Sequence, residues 1–370
     1  MAARVQPVIS STVHLRARIV GLRRDEGGLT KHGNGRFAPS PLRLLGAGLG
    51  VLVAVGAVVL WVRSGHLAQS VTLVGHARPG YVWLAGLGFA GSLVATAGAW
   101  RSTLAGCGGR VGRLESCARY GVGSLLNSFL PARLGDAARV ALFARTLPRA
   151  ESPALTAGSV LGAVEVARAL VQALLIAIAA AIGAVPFWPV LALGAAAGVA
   201  VLVVLRLRRR WPGHRLVHLL DGLAALLRSP RRAAVVIAWV AAASLCQVAA
   251  AAAIAASLGV SSPLAAALIV IAALDIAASI PFTPGNVGIT STAVALALQS
   301  RGVGVTTALA SGLALHAVET LVGVTFGALS VALLAKPSAM PGPARGRLVL
   351  GASALVLASA FAATMLVDVG

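Results

Sequence analysis

Asn127-Ser-Phe-Leu-Pro-Ala-Arg-Leu-Gly-Asp-Ala-Ala-Arg139 interrupts a chain that is otherwise apolar on both sides of it. The stretch holds two arginines, an aspartate, an asparagine, a proline and a glycine. Bilayer hydrocarbon offers no hydrogen-bond partner to a broken backbone. Such a segment in a membrane chain must be buried in protein or face a wet cavity. Ionisable side chains at that depth are functional candidates by default.

The surroundings make the membrane reading firm. Of 370 residues, 58% are hydrophobic and only 11% charged, against about 25% charged in soluble domains. Mean hydropathy is +0.90. Apolar runs long enough to span recur at roughly 44–62, 81–104, 154–184, 188–206, 233–258, 305–335 and 348–367. A hydrocarbon core needs about 20 apolar residues per helix. The expected fold is therefore an all-α polytopic membrane protein with about seven full transmembrane helices.

Two more apolar stretches are broken. One covers about 116–147 and breaks at Pro131 and Gly135. The other covers about 264–300 and breaks at Pro281, Pro284, Gly285 and Gly288. Proline inside a helix removes a hydrogen bond and clashes with the preceding turn. Both stretches read as re-entrant hairpins.

Charge tests that topology. The net charge is +21, from 31 Lys+Arg against 10 Asp+Glu. With the N-terminus inside and both hairpins returning to the side they left, every Lys and Arg but four falls on the inner face. The exceptions are Arg63, Arg78 and Arg301 outside and Arg168 within a span. The positive-inside rule accounts for this distribution, so nucleic acid is not the expected partner. The first hairpin then enters from the cytoplasm and the second from outside. Opposed discontinuous helices of this kind mark inverted-repeat transporters, and the two halves form a candidate inverted repeat.

Residues 1–41 are polar and basic, and read as a disordered cytoplasmic N-terminus. No apolar h-region lies in the first 40 residues, so no cleaved signal peptide is expected. Residues 42–335 form the transmembrane domain. Residues 336–370 supply a linker and an extra C-terminal helix. The loop 207–231 carries RLRRRWPGHR and RSPRR around LVHLLDGLAALL, which reads as an interfacial helix. Cys107, Cys117 and Cys246 show no disulfide or metal-ligand spacing.

The polar residues set the candidate site. Arg133, Asp136 and Arg139 recur every third residue, within ion-pair reach on a helix. Two guanidinium forks match phosphate geometry, while Asp136 can orient them. Asn127 can satisfy backbone groups freed at Pro131 and Gly135. The same residues would serve as a structural clasp, and the two roles are compatible. In the second break, Thr283, Pro284, Gly285, Asn286 and Gly288 permit tight turns and a helix N-terminus open to an anion; a packed turn explains them equally well. Glu165 and Arg168 lie three apart in one span and can pair. Asp275, His316 and Glu319 are candidates for a proton relay. No nucleotide loop, metal motif or nucleophile elbow is present, so neither catalysis nor a cofactor is expected.

The pattern N-x-x-L-P-x-R-x-G-D-x-x-R at Asn127–Arg139, followed by P-x-T-P-G-N-x-G at Pro281–Gly288, resembles the lysylphosphatidylglycerol synthase transmembrane family. The resemblance covers roughly residues 42–335. It implies a flippase-like membrane domain of the bacterial cytoplasmic membrane that handles anionic or aminoacylated phospholipid. Asn286 stands where that family usually has glycine, and Ser291 where it often has glutamate. The family's middle-span Glu-Arg pair is here offset, as Glu165 and Arg168. The two-domain synthases add a soluble aminoacyl-transferase domain after the membrane part, and this chain ends at Gly370 without room for one. Lipid translocation is thus the leading expectation. A proton-coupled small-solute transporter and an accessory subunit of an envelope-biosynthesis enzyme are the alternatives.

Overall fold

A computed structural model describes residues 66–129, 134–147, 152–181, 183, 206, 221–278 and 287–335. Among these residues every regular element is a helix. They are α1 (His66–Gly75), α2 (Pro79–Gly106), α3 (Arg113–Phe129), α4 (Leu134–Ala144), α5 (Pro153–Ala181), α6 (Asp221–Leu227), α7 (Pro230–Ser257), α8 (Pro263–Ala278), α9 (Val287–Gln299) and α10 (Val305–Leu334).

Local chemistry fixes many of these limits. Helices α2, α5, α7 and α8 each start on proline. Proline fits the first helical position, where its missing N–H and fixed φ cost nothing. Helix α2 ends in a paired-hydrogen-bond cap. Gly108 sits at φ +85°, its N–H bonds to the Ala105 carbonyl, and the Gly109 N–H bonds to the Leu104 carbonyl. That arrangement satisfies carbonyls the helix would leave orphaned. Gly302, at φ +78°, closes α9 in the same way, with the Val303 N–H on Leu298.

Four helices, α2, α5, α7 and α10, are long and apolar enough to cross a membrane. At about 1.5 Å per residue they run about 42–45 Å, more than the roughly 30 Å hydrocarbon core. They match the spans expected at 81–104, 154–184, 233–258 and 305–335. The spans expected at 44–62, 188–206 and 348–367 lie outside the described residues, apart from residue 206. So do the N-terminal segment 1–41 and the linker from 336 onward. Helix α1 occupies a stretch between spans to which the sequence reading assigned no element. It is tied to the start of α10, where the Ser70 hydroxyl donates to the Thr306 carbonyl at 3.1 Å. The amphipathic segment of the basic loop is helical over Asp221–Leu227, and it packs on α5. A Cβ on Gly222 would meet the Ser159 carbonyl oxygen at 2.5 Å, so only glycine allows that approach.

The element order repeats. Helices α2–α5 run long, short, short, long, with 28, 17, 11 and 29 residues. Helices α7–α10 repeat that order with 28, 16, 13 and 30 residues. The packing repeats as well. In each set the first long helix touches the first short one, the two short helices pack together, and the second short helix touches the last. The widest seam joins the leading helices, α2 and α7. It is built on small residues, as membrane interfaces usually are. A Cβ on Gly88 would lie 2.8 Å from the Cys246 carbonyl oxygen, and one on Gly98 would lie 2.7 Å from the Trp239 ring.

Two buried apolar clusters form the core. One joins Ala85 and Phe89 of α2 to the later half of α7 and to α8, α9 and α10. The other joins Trp100 of α2, Tyr120, Phe143 and Val164 to the earlier half of α7. Large apolar side chains such as Trp83, Leu87, Leu170 and Leu264 are exposed on the outside. A soluble protein would bury them, whereas lipid accepts them.

Candidate functional site

Helices α3 and α4 double back on each other around the break in the opening stretch. Arg119 of α3 donates to the Leu142 carbonyl of α4, and Arg139 Nε donates to the Tyr120 carbonyl at 3.3 Å. Nearer the break, the Gly135 N–H donates to Asn127 Oδ1 at 2.8 Å. The two backbones come so close that a Cβ on Gly123 would sit 2.7 Å from the Gly135 carbonyl oxygen.

Arg139 is the centre of this hairpin. It is only 9% exposed. Its Nη1 meets Asp136 Oδ1 at 2.5 Å, and its Nη2 donates to the Ser124 hydroxyl at 2.8 Å. Its guanidinium lies 4.0 Å from the Tyr120 ring centroid, a cation–π stack. Asn127 Nδ2 donates to the same Asp136 oxygen at 3.2 Å. The Tyr120 ring is held edge-on against Trp100 at 6.5 Å, and Trp100 stacks on Phe143 at 4.8 Å. The i, i+3 pairing of Asp136 with Arg139 is therefore present, and it acts as a clasp. Pro131 and Arg133 lie outside the described residues.

A cavity of about 310 Å³ opens beside the clasp. Both halves of the repeat contribute to its wall. The first supplies Ser92 and Thr96 of α2, Tyr120, Ser124, Asn127 and Ser128 of α3, Arg139 of α4 and Arg168 of α5. The second supplies Gln247 of α7, Leu274 of α8, Thr290 of α9, and His316, Glu319 and Thr320 of α10. On each of the four long helices these polar residues lie near the middle of the helix. The polar lining therefore sits at the half-depth of the long helices, with residues from both sets.

The sequence candidates divide on this geometry. Asn127, Arg139, Arg168, His316 and Glu319 converge on the cavity, with Asp136 bonded to Arg139. Gly135 is buried in the hairpin contact. Glu165 and Arg168 do not pair: Arg168 faces the cavity, while Glu165 lies on an exposed face beside Val166 and forms no ion pair among the described residues. Three residues turn a helix by about 300°, leaving the two side chains about 60° apart, and here a neighbouring surface claims each. His316 and Glu319 share the cavity without a mutual hydrogen bond among those described. Instead, His316 Nε2 contacts the Thr320 hydroxyl at 3.4 Å, and its Nδ1 is buried without a partner among the described residues. Glu319 is exposed to the cavity it lines.

The side chain of Asp275 lies outside the described residues, though the neighbouring Leu274 reaches the cavity. Thr283, Pro284, Gly285 and Asn286 lie outside them too, and Gly288 is described only as backbone of the first turn of α9. Ser291 is buried against α10, where a Cβ on Gly312 would meet its carbonyl oxygen at 2.6 Å.

The lysylphosphatidylglycerol synthase TM region family matches residues 48–327. The chain belongs to this family. Every residue of the clasp and the cavity falls within the matched range. No curated protein matches the chain. Family membership and the four long apolar helices together make this an integral, multi-pass membrane protein.

Beside the predicted Asn127, the lining includes the hydroxyls of Ser92, Thr96, Tyr120 and Ser124 and the Gln247 amide, which were not among the sequence candidates. Its signal was present: Tyr120, Ser124, Asn127 and Ser128 follow an i, i+4, i+7, i+8 spacing, one face of a helix. Ser92 with Thr96, and His316 with Thr320, repeat the i, i+4 step.

Proposed function

We propose that this chain carries the charged headgroup of a phospholipid between leaflets through the cavity shared by its two halves. The observation that carries the reading is the cavity's position and charge. It lies midway along four spanning helices, and among the described residues its wall carries the arginines Arg139 and Arg168 and the carboxylate Glu319. Arginine suits a phosphodiester, and a carboxylate suits an ammonium group. An aminoacylated phospholipid bears both. The volume is near the lower end of ligand pockets, about 300–1,000 Å³, so it fits a headgroup while the acyl chains stay in lipid.

The short helices fit the same reading. Over their described residues, at about 1.5 Å per residue, α3, α4, α8 and α9 run about 16–26 Å, less than the roughly 30 Å core. Each pair acts as a re-entrant hairpin, the first from the cytoplasm and the second from the outer side. The protein resides in a bacterial cytoplasmic membrane with its N-terminus inside, as the arginine distribution supports. Transport rather than covalent chemistry is its role.

The test is reconstitution into liposomes carrying fluorescent phosphatidylglycerol or its aminoacylated form, with chemical quenching of the outer leaflet. Wild type should expose inner-leaflet label faster than empty liposomes do. Arg168→Gln should slow both lipids, and Glu319→Gln should slow the aminoacylated one more. Equal rates for wild type and empty liposomes would overturn the reading.

His316 and Glu319 in one cavity also favour a second reading, a proton-coupled carrier of a small solute. That reading requires solute uptake driven by a pH gradient, with no lipid movement.

A further inference from the structure

A second basic site lies away from the cavity, where the end of α2 meets the start of α7. A pocket of about 480 Å³ there is lined by Arg101, Arg110, Arg231 and Arg232, with Ser102 and Ser229 among its other walls. It shares no lining residue with the central cavity. We propose that this pocket binds a phosphate-bearing anion at the membrane surface, with an anionic phospholipid headgroup or free phosphate as its source.

Four guanidiniums around one hollow repel one another, and no carboxylate lines the pocket among the described residues. None of the four forms an ion pair among the described residues, whose ion pairs join Arg119 to Glu115 and Arg139 to Asp136. Arg110, Arg231 and Arg232 are exposed. Arg101 alone is anchored, its Nε donating to the Val111 carbonyl at 3.0 Å.

The scaffold beneath them is rigid. The glycine cap at Gly108 and Gly109 ends α2 and turns the chain so that Arg110 returns beside Arg101. Gly109 is packed so closely on Leu104 that a Cβ would lie 2.7 Å from its Cγ. On the other wall, α7 presents its N-terminus. Ser229 precedes it without a side-chain cap, and Pro230 carries no N–H. The positive end of a 28-residue helix thus adds to the arginines.

A topology signal needs positive charge in the loops but no pocket. Here the charge is gathered around a hollow, and guanidinium forks bind phosphate oxygens in pairs. Basic pockets between spanning helices at the membrane surface are also where anionic headgroups dock.

Native mass spectrometry of the full-length chain in detergent, incubated with phosphatidylglycerol or phosphatidylcholine, tests this. Wild type should retain one more phosphatidylglycerol than Arg110→Gln/Arg231→Gln/Arg232→Gln, and no added phosphatidylcholine. Should that triple variant fail to fold, Arg231→Gln alone, exposed on the first turn of α7, should still weaken retention severalfold. Displacement by millimolar inorganic phosphate would assign the site to free phosphate, and resistance to it would assign the site to the lipid. Either result keeps the anion site. Equal retention by wild type and the glutamine variants would overturn it. So would an equal loss in Arg78→Gln/Arg301→Gln, which removes the same kind of charge from the opposite face. Because the two pockets share no residue, loss of translocation leaves this result independent.

Discussion

Breaking the Asp136–Arg139 pair should loosen the hairpin that walls the cavity, by an amount the surrounding contacts set. Removing one partner of a buried ion pair costs about 3–5 kcal/mol, because the other charge is left uncompensated. Asp136→Asn belongs near the lower figure. Arg139 would keep the Ser124 hydroxyl, the Tyr120 carbonyl and the Tyr120 ring. Arg139→Gln belongs near the upper one. It removes every one of those ties between α4 and α3, and leaves Asp136 with the Asn127 amide. The double variant should cost less than the sum of the singles, with a coupling of about 1–3 kcal/mol. Unfolding of the four proteins in mixed detergent micelles measures this cycle. Single-variant effects that add to within about 0.5 kcal/mol, the ordinary scatter for independent sites, would refute the clasp.

Other expectations follow from particular contacts. Gly88→Ala would drive a Cβ to 2.8 Å from the Cys246 carbonyl oxygen, so α2 and α7 must part; a loss of about 1–3 kcal/mol is expected in the same unfolding assay. Gln172 is 5% exposed, and both its amide atoms lack partners among the described residues. Gln172→Leu should therefore raise the unfolding midpoint, since an unpaired buried polar group costs about 1–3 kcal/mol. Gly108→Ala places a side chain at φ +85° and should cost about 1–2 kcal/mol. It should also weaken phosphatidylglycerol retention by misplacing Arg110, a loss that native mass spectrometry would record.

How far the sequence carried varies along the chain. The four long spans were legible because uniform apolar composition over 28–30 residues has one reading in a bilayer. The break at Asn127–Arg139 was legible because proline, glycine and paired charges interrupt that composition. The Asp136–Arg139 pair followed from spacing alone. The Glu165–Arg168 pair did not, because spacing gives reach and only tertiary packing decides which way each side chain turns. Helix α1 was missed because His66–Gly75 is short, and it is held by α10, more than 200 residues away. Serine and threonine lining was missed for a related reason. Such residues often donate back to their own helix, as Thr96 does to the Ser92 carbonyl at 2.8 Å, so their presence in a span does not by itself mark a cavity.

The most direct measurement asks whether a lipid headgroup reaches the middle of the protein. Cys107, Cys117 and Cys246 would be replaced by alanine, and single cysteines introduced by Thr320→Cys in the cavity wall and Leu170→Cys on the outer face, where Leu170 is 62% exposed. Each protein would be placed in bilayers containing a phospholipid with a thiol-reactive headgroup. Both positions lie midway along their helices, where an acyl chain has no reactive group to offer. Labelling of Thr320→Cys well above Leu170→Cys is expected if the cavity admits headgroups. Equal labelling of the two, or none at Thr320→Cys, would contradict it.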